Sequence, residues 1–123
     1  MEKIDPKWLW HSRTLHALRR RLMREYDEHR QAAAEPTKEH DLDWAETASD
    51  EAERDIIFAE LSAEENALAE VEAALERLRR GSYGACEETG KAIPDERLRA
   101  VPWTRYTREI AARHERREPT RSG

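Results

Sequence analysis

The chain has 123 residues, 40% of them charged and only 37% hydrophobic, with a formal net charge of −5. That length suits one domain, but the apolar share is too small for a thick globular core and suits paired helices with a narrow seam and most side chains in water. No apolar run approaches ~18 residues, so no membrane span is expected.

The first residues, Met1-Glu2-Lys3-Ile4-Asp5-Pro6, are charged and lack the apolar core of a signal peptide. The single cysteine, Cys86, has no partner for an internal disulfide, and together these features point to a cytoplasmic protein. The charge is unevenly laid out. Residues 1–31 hold 8 basic and 5 acidic side chains, residues 35–76 hold 2 and 15, and residues 77–123 hold 12 and 7. A central acidic arm repels phosphates, which argues against direct DNA binding. It suits entry into a basic protein cavity or approach to a bound cation. A solvated helix face is the plainer alternative.

Asp5-Pro6 reads as a helix start, with an acidic cap and a proline tolerated in the first turn. Trp8, Leu15, Leu18, Leu22 and Tyr26 then recur at helical spacing, with polar seam positions at His11 and Glu25 and with Trp10 off the seam. This first helix is expected to end at Ala34, ahead of Glu35-Pro36. In the second helix Ile57, Leu61, Glu64, Leu68, Val71, Leu75 and Leu78 follow a heptad with one polar break, Glu64. It should end near Arg80, where Gly81 caps it and Arg77, Arg79 and Arg80 suit the negative end of the dipole. At roughly 30 residues it would reach roughly 45 Å.

Gly81 to Gly90 is rich in turn formers. Ala92-Ile93 reads as a short strand and Pro94 to Val101 as a short helix, broken by Pro102. A last helix from about Thr104 to Arg117 would put Trp103, Tyr106, Ile110 and His114 on one face.

The stretch Gly81-Ser82-Tyr83-Gly84-Ala85-Cys86-Glu87-Glu88-Thr89-Gly90-Lys91-Ala92-Ile93, followed by Arg97-Leu98-Arg99-Ala100-Val101-Pro102, resembles the DksA/TraR family of bacterial transcription regulators. Their zinc-finger region reads Gly-x-Tyr-Gly-x-Cys-x-x-Cys-Gly-x-x-Ile, then Arg-Leu-x-Ala-x-Pro, then a second Cys-x-x-Cys. The resemblance runs from about Trp8 to about Arg117. It implies a mostly α fold: an antiparallel coiled-coil hairpin over residues 6–80 with its tip at about 35–49. A small degenerate zinc-finger-like region and C-terminal helix would follow over 81–118, then a disordered tail over 119–123.

Of the family's four zinc positions, the first is Cys86. The others fall on Thr89, Thr107 and Ile110, so the region is expected to fold without metal or other cofactor. His114 is the nearest spare ligand, better explained by its apolar face. The family's tip motif, Asp-x-x-Asp-x-Ala, falls on Asp43, Glu46 and Ala48, with Glu46 in place of the second aspartate. Asp43 and Glu46 are equally a helix capping box, and the two roles are compatible. The positions that bind the alarmone ppGpp in some members fall on Glu70, Val101 and Ala111; none is basic, so a weak or absent ppGpp response is expected.

The resemblance implies a non-enzymatic regulator that enters the secondary channel of bacterial RNA polymerase and alters the stability of the initiation complex. Two other functions fit the same residues. One is a Gre-like transcript cleavage factor, with Asp43 and Glu46 helping to hold a magnesium ion. The other is an interaction protein that no longer acts on polymerase.

Overall fold

The computed structural model describes residues 3–34 and 44–121, the side chains of 44–49 and 118–121 excepted. A 3₁₀ turn at Pro6–Trp8 leads into α1 (Leu9–Ala34); α2 (Trp44–Arg80), α3 (Asp95–Ala100) and α4 (Arg108–Arg121) follow. Asp5 starts the chain's first turn as its sequence suggests, its carboxylate accepting from the Lys7 N–H at 3.1 Å. No helix of the described residues is long and apolar enough to cross a membrane. Contacts divide the chain into two units, one made of the residues up to Leu18 with those from Glu70 onward, the other of Arg19–Ala69.

Within the second unit the two helices run antiparallel: Tyr26 donates to Glu65 Oε1 at 2.6 Å, and His29 Nδ1 lies 2.7 Å from Glu64 Oε2. Rising numbers on α1 thus meet falling numbers on α2. Leu22, Ile57, Leu61 and Leu68 are half-buried along the seam, as heptad spacing requires. Glu64, the polar break in that seam, is partnered by His29 through one oxygen, while its Oε1 is buried without a hydrogen bond. Ile56 and Phe58 lie off the seam and are exposed.

The first unit has the denser core: Leu15, Val71, Ala74, Leu78, Tyr83, Cys86, Ile93, Leu98 and Ile110 are all buried. Helix α2 closes as a glycine-capped end, with Gly81 at φ 81°. The N–H groups of Ser82 and Tyr83 both donate to the Arg77 carbonyl, at 2.9 and 3.2 Å. Trp8, His11 and Tyr83 meet edge to face beside Gly84. Trp10, off the seam, is exposed at the surface, with the Arg99 guanidinium 4.7 Å above its ring.

Three elements differ from the sequence expectation. Ala92-Ile93 forms no strand; Ala92 makes a single antiparallel bridge to Ala85. The last helix begins at Arg108, not Thr104, because the carbonyls before it are taken. Arg77 donates to the carbonyls of Trp103 and Thr104, the Glu87 N–H to that of Arg105, and Arg97 to that of Tyr106. A carbonyl held this way is not available for a first helical turn. The same helix continues to Arg121, into the segment expected to be a disordered tail, since extending a formed helix needs no new nucleus.

Candidate functional site

Two places carry the sequence-derived site residues. The first is the start of α2, which begins at Trp44 and includes Glu46 and Ala48 in its opening turns. Asp43, the rest of the 35–43 connection, and the side chains of Glu46 and Ala48 lie outside the described residues.

The second is the turn-rich region after α2. Cys86 donates its N–H to the Lys91 carbonyl and accepts the Gly90 N–H, both at 2.8 Å, with Gly90 at φ 74°. This closes a tight knuckle around a side chain that is 2% exposed. Burial pushes the Cys86 thiol up. Hydrogen bonds from the Thr89 hydroxyl and from the backbone N–H groups of Thr107, Thr89 and Glu88 outweigh it and bring the thiol down to about 7. The sulfur therefore gathers Thr89 and Thr107, two of the degenerate zinc positions. The third, Ile110, is a buried core side chain.

A zinc ion held in this fold needs four N, S or carboxylate donors in a tetrahedron. One thiol, two threonines and an isoleucine do not supply them. Among the described residues no group of three or more His, Cys, Asp and Glu side chains comes together. His114 is occupied elsewhere: its Nε2 lies 3.0 Å from Glu88 Oε1, and its ring stacks on Tyr106 at 4.6 Å.

Around the knuckle sits an arginine-rich network that periodicity did not reveal. Arg105 grips Glu70 as a fork, Nε to Oε1 at 2.8 Å and Nη2 to Oε2 at 3.1 Å, and donates Nη1 to Glu87 at 2.9 Å. Hydrogen bonding to Glu70 holds the Arg105 guanidinium more firmly charged than usual. Arg77 is 9% exposed and its burial lowers its own proton affinity. Its Nη1 lies 3.6 Å from Glu87 and has no hydrogen bond. Arg97 donates to the Tyr106 carbonyl at 2.9 Å and to Thr104 Oγ1 at 3.2 Å. Tyr83 donates to the Pro102 carbonyl at 2.8 Å, and burial pushes its hydroxyl up to about 12. An open cleft of about 420 Å3 lies beside Arg77, Arg105, Cys86 and Glu87.

None of the register-matched ppGpp positions carries a basic side chain. Glu70 is held by Arg105, while Val101 ends α3 and Ala111 belongs to the first turns of α4. The sequence signal for the arginines was weak. Arg77 is next to the seam residue Leu78, a place where a long polar side chain can turn inward, but its partners are 26 and 27 residues away.

Residues 81–116 match the family model described as the prokaryotic dksA/traR C4-type zinc finger. The chain is 32% identical to the transcription factor DksA2 from Pseudomonas aeruginosa, whose structure superposes with a TM-score of 0.73 over 89% of this chain and 84% of that one. It is 35% identical to an uncharacterized protein of Aquifex aeolicus, over 78% of this chain and 66% of that protein. It is 39% identical to the RNA polymerase-binding transcription factor DksA of Caulobacter vibrioides, over 65% of this chain and 56% of that protein. The chain thus spans about two thirds or less of the length of the curated relatives it matches.

Proposed function

The chain belongs to the DksA/TraR family, and from that membership we propose that it is a transcription regulator that binds bacterial RNA polymerase and catalyses no reaction of its own. The observation that carries this reading is the match to DksA2 over 89% of the chain at 32% identity, which takes in the paired helices as well as the knuckle region. In this proposal the acidic end of the helix pair enters the secondary channel in the cytoplasm, and binding favours one state of the initiation complex over another. Fifteen acidic against two basic side chains over residues 35–76 support entry into a basic channel and argue against direct DNA contact. Asp43, Glu46 and Ala48 would stand nearest the active site.

Glu46 is the residue to test. It keeps the charge of the family's aspartate but carries it roughly 1.5 Å further along the side chain, and electrostatic effects at an active site depend steeply on position. Glu46→Asp is expected to increase the effect on transcription without changing polymerase affinity. The ppGpp response is expected to be absent by the family's route, since the Glu70 carboxylate is committed to Arg105 and repels phosphate. Co-purification with core RNA polymerase, lost when a known occupant fills the channel, would support the proposal. No binding at micromolar protein would refute it. Shortened transcripts from backtracked complexes would favour a cleavage role in its place.

A further inference from the structure

We propose that Arg77 and Arg105 do for this chain what a zinc ion does in a C4 finger: they tie the Cys86 knuckle, the end of α2 and the 103–107 turn into one body, without metal. The inference concerns the fold of the first unit and stands apart from the polymerase reading. A zinc ion would join residues at 86 and 89 to residues at 107 and 110. In this chain the donor set for such an ion is missing, yet the same segments are tied together by other groups.

The ties are specific. Glu87, next to Cys86, donates its N–H to the Arg105 carbonyl at 2.9 Å and accepts from the Arg105 side chain at 2.9 Å, so knuckle and turn are joined twice at one residue pair. Arg105 also forks onto Glu70 of α2. Arg77, from the end of α2, donates to the carbonyls of Trp103 and Thr104 at 3.1 and 3.3 Å. Arg97, from α3, is the arginine of the family's Arg-Leu-x-Ala-x-Pro motif and adds bonds to the Tyr106 carbonyl and the Thr104 hydroxyl. Every carbonyl from 103 to 106 therefore has a donor from outside the turn.

The logic parallels that of a metal site. A metal fixes chain segments by satisfying several ligands from one centre. A guanidinium has five N–H donors in a rigid fork and can do likewise for carbonyl and carboxylate oxygens. Each arginine here serves at least two oxygens. The burial of Arg77 makes it the more committed of the two, since an uncompensated guanidinium at 9% exposure would be costly. Ile110 completes the exchange by filling with apolar contact the place where a ligand would stand.

The first experiment uses the full chain: metal analysis of the purified protein, with thermal unfolding and amide exchange in chelator and in added zinc. We expect no stoichiometric zinc, melting temperatures within about 1 °C of each other, and a Glu87 amide equally protected in both. One zinc per chain that raises the melting temperature would overturn the proposal. The second compares Arg105→Met, at a half-exposed site that should still fold, with wild type. The lost ties should lower the melting temperature by roughly 4–8 °C and speed exchange of the Glu87 amide at least tenfold. An unchanged melt and an unchanged Glu87 amide would overturn it. The third puts Thr89→Cys, Thr107→Cys and Ile110→Cys together. When this four-thiol chain is loaded with zinc, Arg105→Met should cost at most half the shift it causes in wild type. An equal shift would show that the arginines are ordinary stabilising contacts and not a replacement for the metal.

Discussion

Gly84→Ala tests the packing that connects the start of α1 to the knuckle region. Gly84 has φ 88°, in the left-handed region, and a Cβ there would lie 2.8 Å from both Cη2 and Cζ2 of Trp8. Two costs follow and they can be separated. A residue with a Cβ in that conformation costs about 1–2 kcal/mol. The overlap with Trp8 adds about 1–3 kcal/mol, as inserted carbons do in packed cores. The ring cannot simply swing away, because it meets His11 and Tyr83 edge to face at 5.0 and 4.9 Å. The expected total is about 3 kcal/mol, or roughly 12 °C at about 4 °C per kcal/mol. Urea and thermal unfolding would measure it, on wild type and on a Trp8→Ala background. With the indole gone only the backbone share should remain, leaving a coupling of about 1–3 kcal/mol between the two sites. The same penalty on both backgrounds would refute the steric reasoning. A penalty under about 0.5 kcal/mol on wild type would refute both terms.

Other changes probe the helix pair and the thiol. Glu64→Leu completes the apolar heptad and removes a carboxylate with one buried unbonded oxygen, so it should stabilise the second unit by about 1 kcal/mol. His29→Ala should do the reverse by taking away the remaining partner, and thermal melts of both variants decide the point. The Cys86 thiol is held at about 7 against an ordinary 9.0, so the folded chain binds fewer protons than the unfolded chain between those values. Its stabilisation is fully present above pH 9 and is lost as pH falls through 7. The urea midpoint of wild type should therefore rise from pH 7 to pH 9, and the Cys86→Ser variant should lack that rise. An identical pH profile in the two proteins would remove Cys86 from the account.

Helices were legible wherever one physical rule decided the outcome. The Asp5-Pro6 start and the Arg80–Gly81 end of α2 each depend on local backbone chemistry, and the seam of α2 depends on a repeat of seven; the expected stop before Glu35-Pro36 lies outside the described residues. Glu64 was visible as a break in that repeat, but its partner was not, because His29 is 35 residues away and helical spacing says nothing about the facing helix. The start of α4 failed for the opposite reason. Thr104 to Thr107 has nothing against helix in its own composition; what prevents the turn is capture of its carbonyls by Arg77, Arg97 and the Glu87 N–H. Register with the family assigned zinc positions to Cys86, Thr89, Thr107 and Ile110. The ties among their segments were not legible that way, since they depend on which oxygens the arginines reach in three dimensions.

Those arginines do not contribute in the same way. Arg105 is half-exposed, and an exposed ion pair taken alone contributes little, at most about 1 kcal/mol. Its value lies in making one fork and one bond to two carboxylates that belong to different segments. Arg77 is the reverse case. Burial lowers its proton affinity, its nearest carboxylate is 3.6 Å away, and one of its nitrogens has no hydrogen bond. Charge pairing cannot explain why it is buried, because desolvation works against it. Its two carbonyl partners can: without a donor, the buried Thr104 segment would keep unsatisfied backbone oxygens, which cost about 1–3 kcal/mol each. The network therefore depends more on hydrogen-bond satisfaction than on attraction between charges. Salt at about 1 M, which shortens the Debye length to about 3 Å, should weaken the partly exposed Arg105 ties and leave the buried Arg77 ties nearly unchanged.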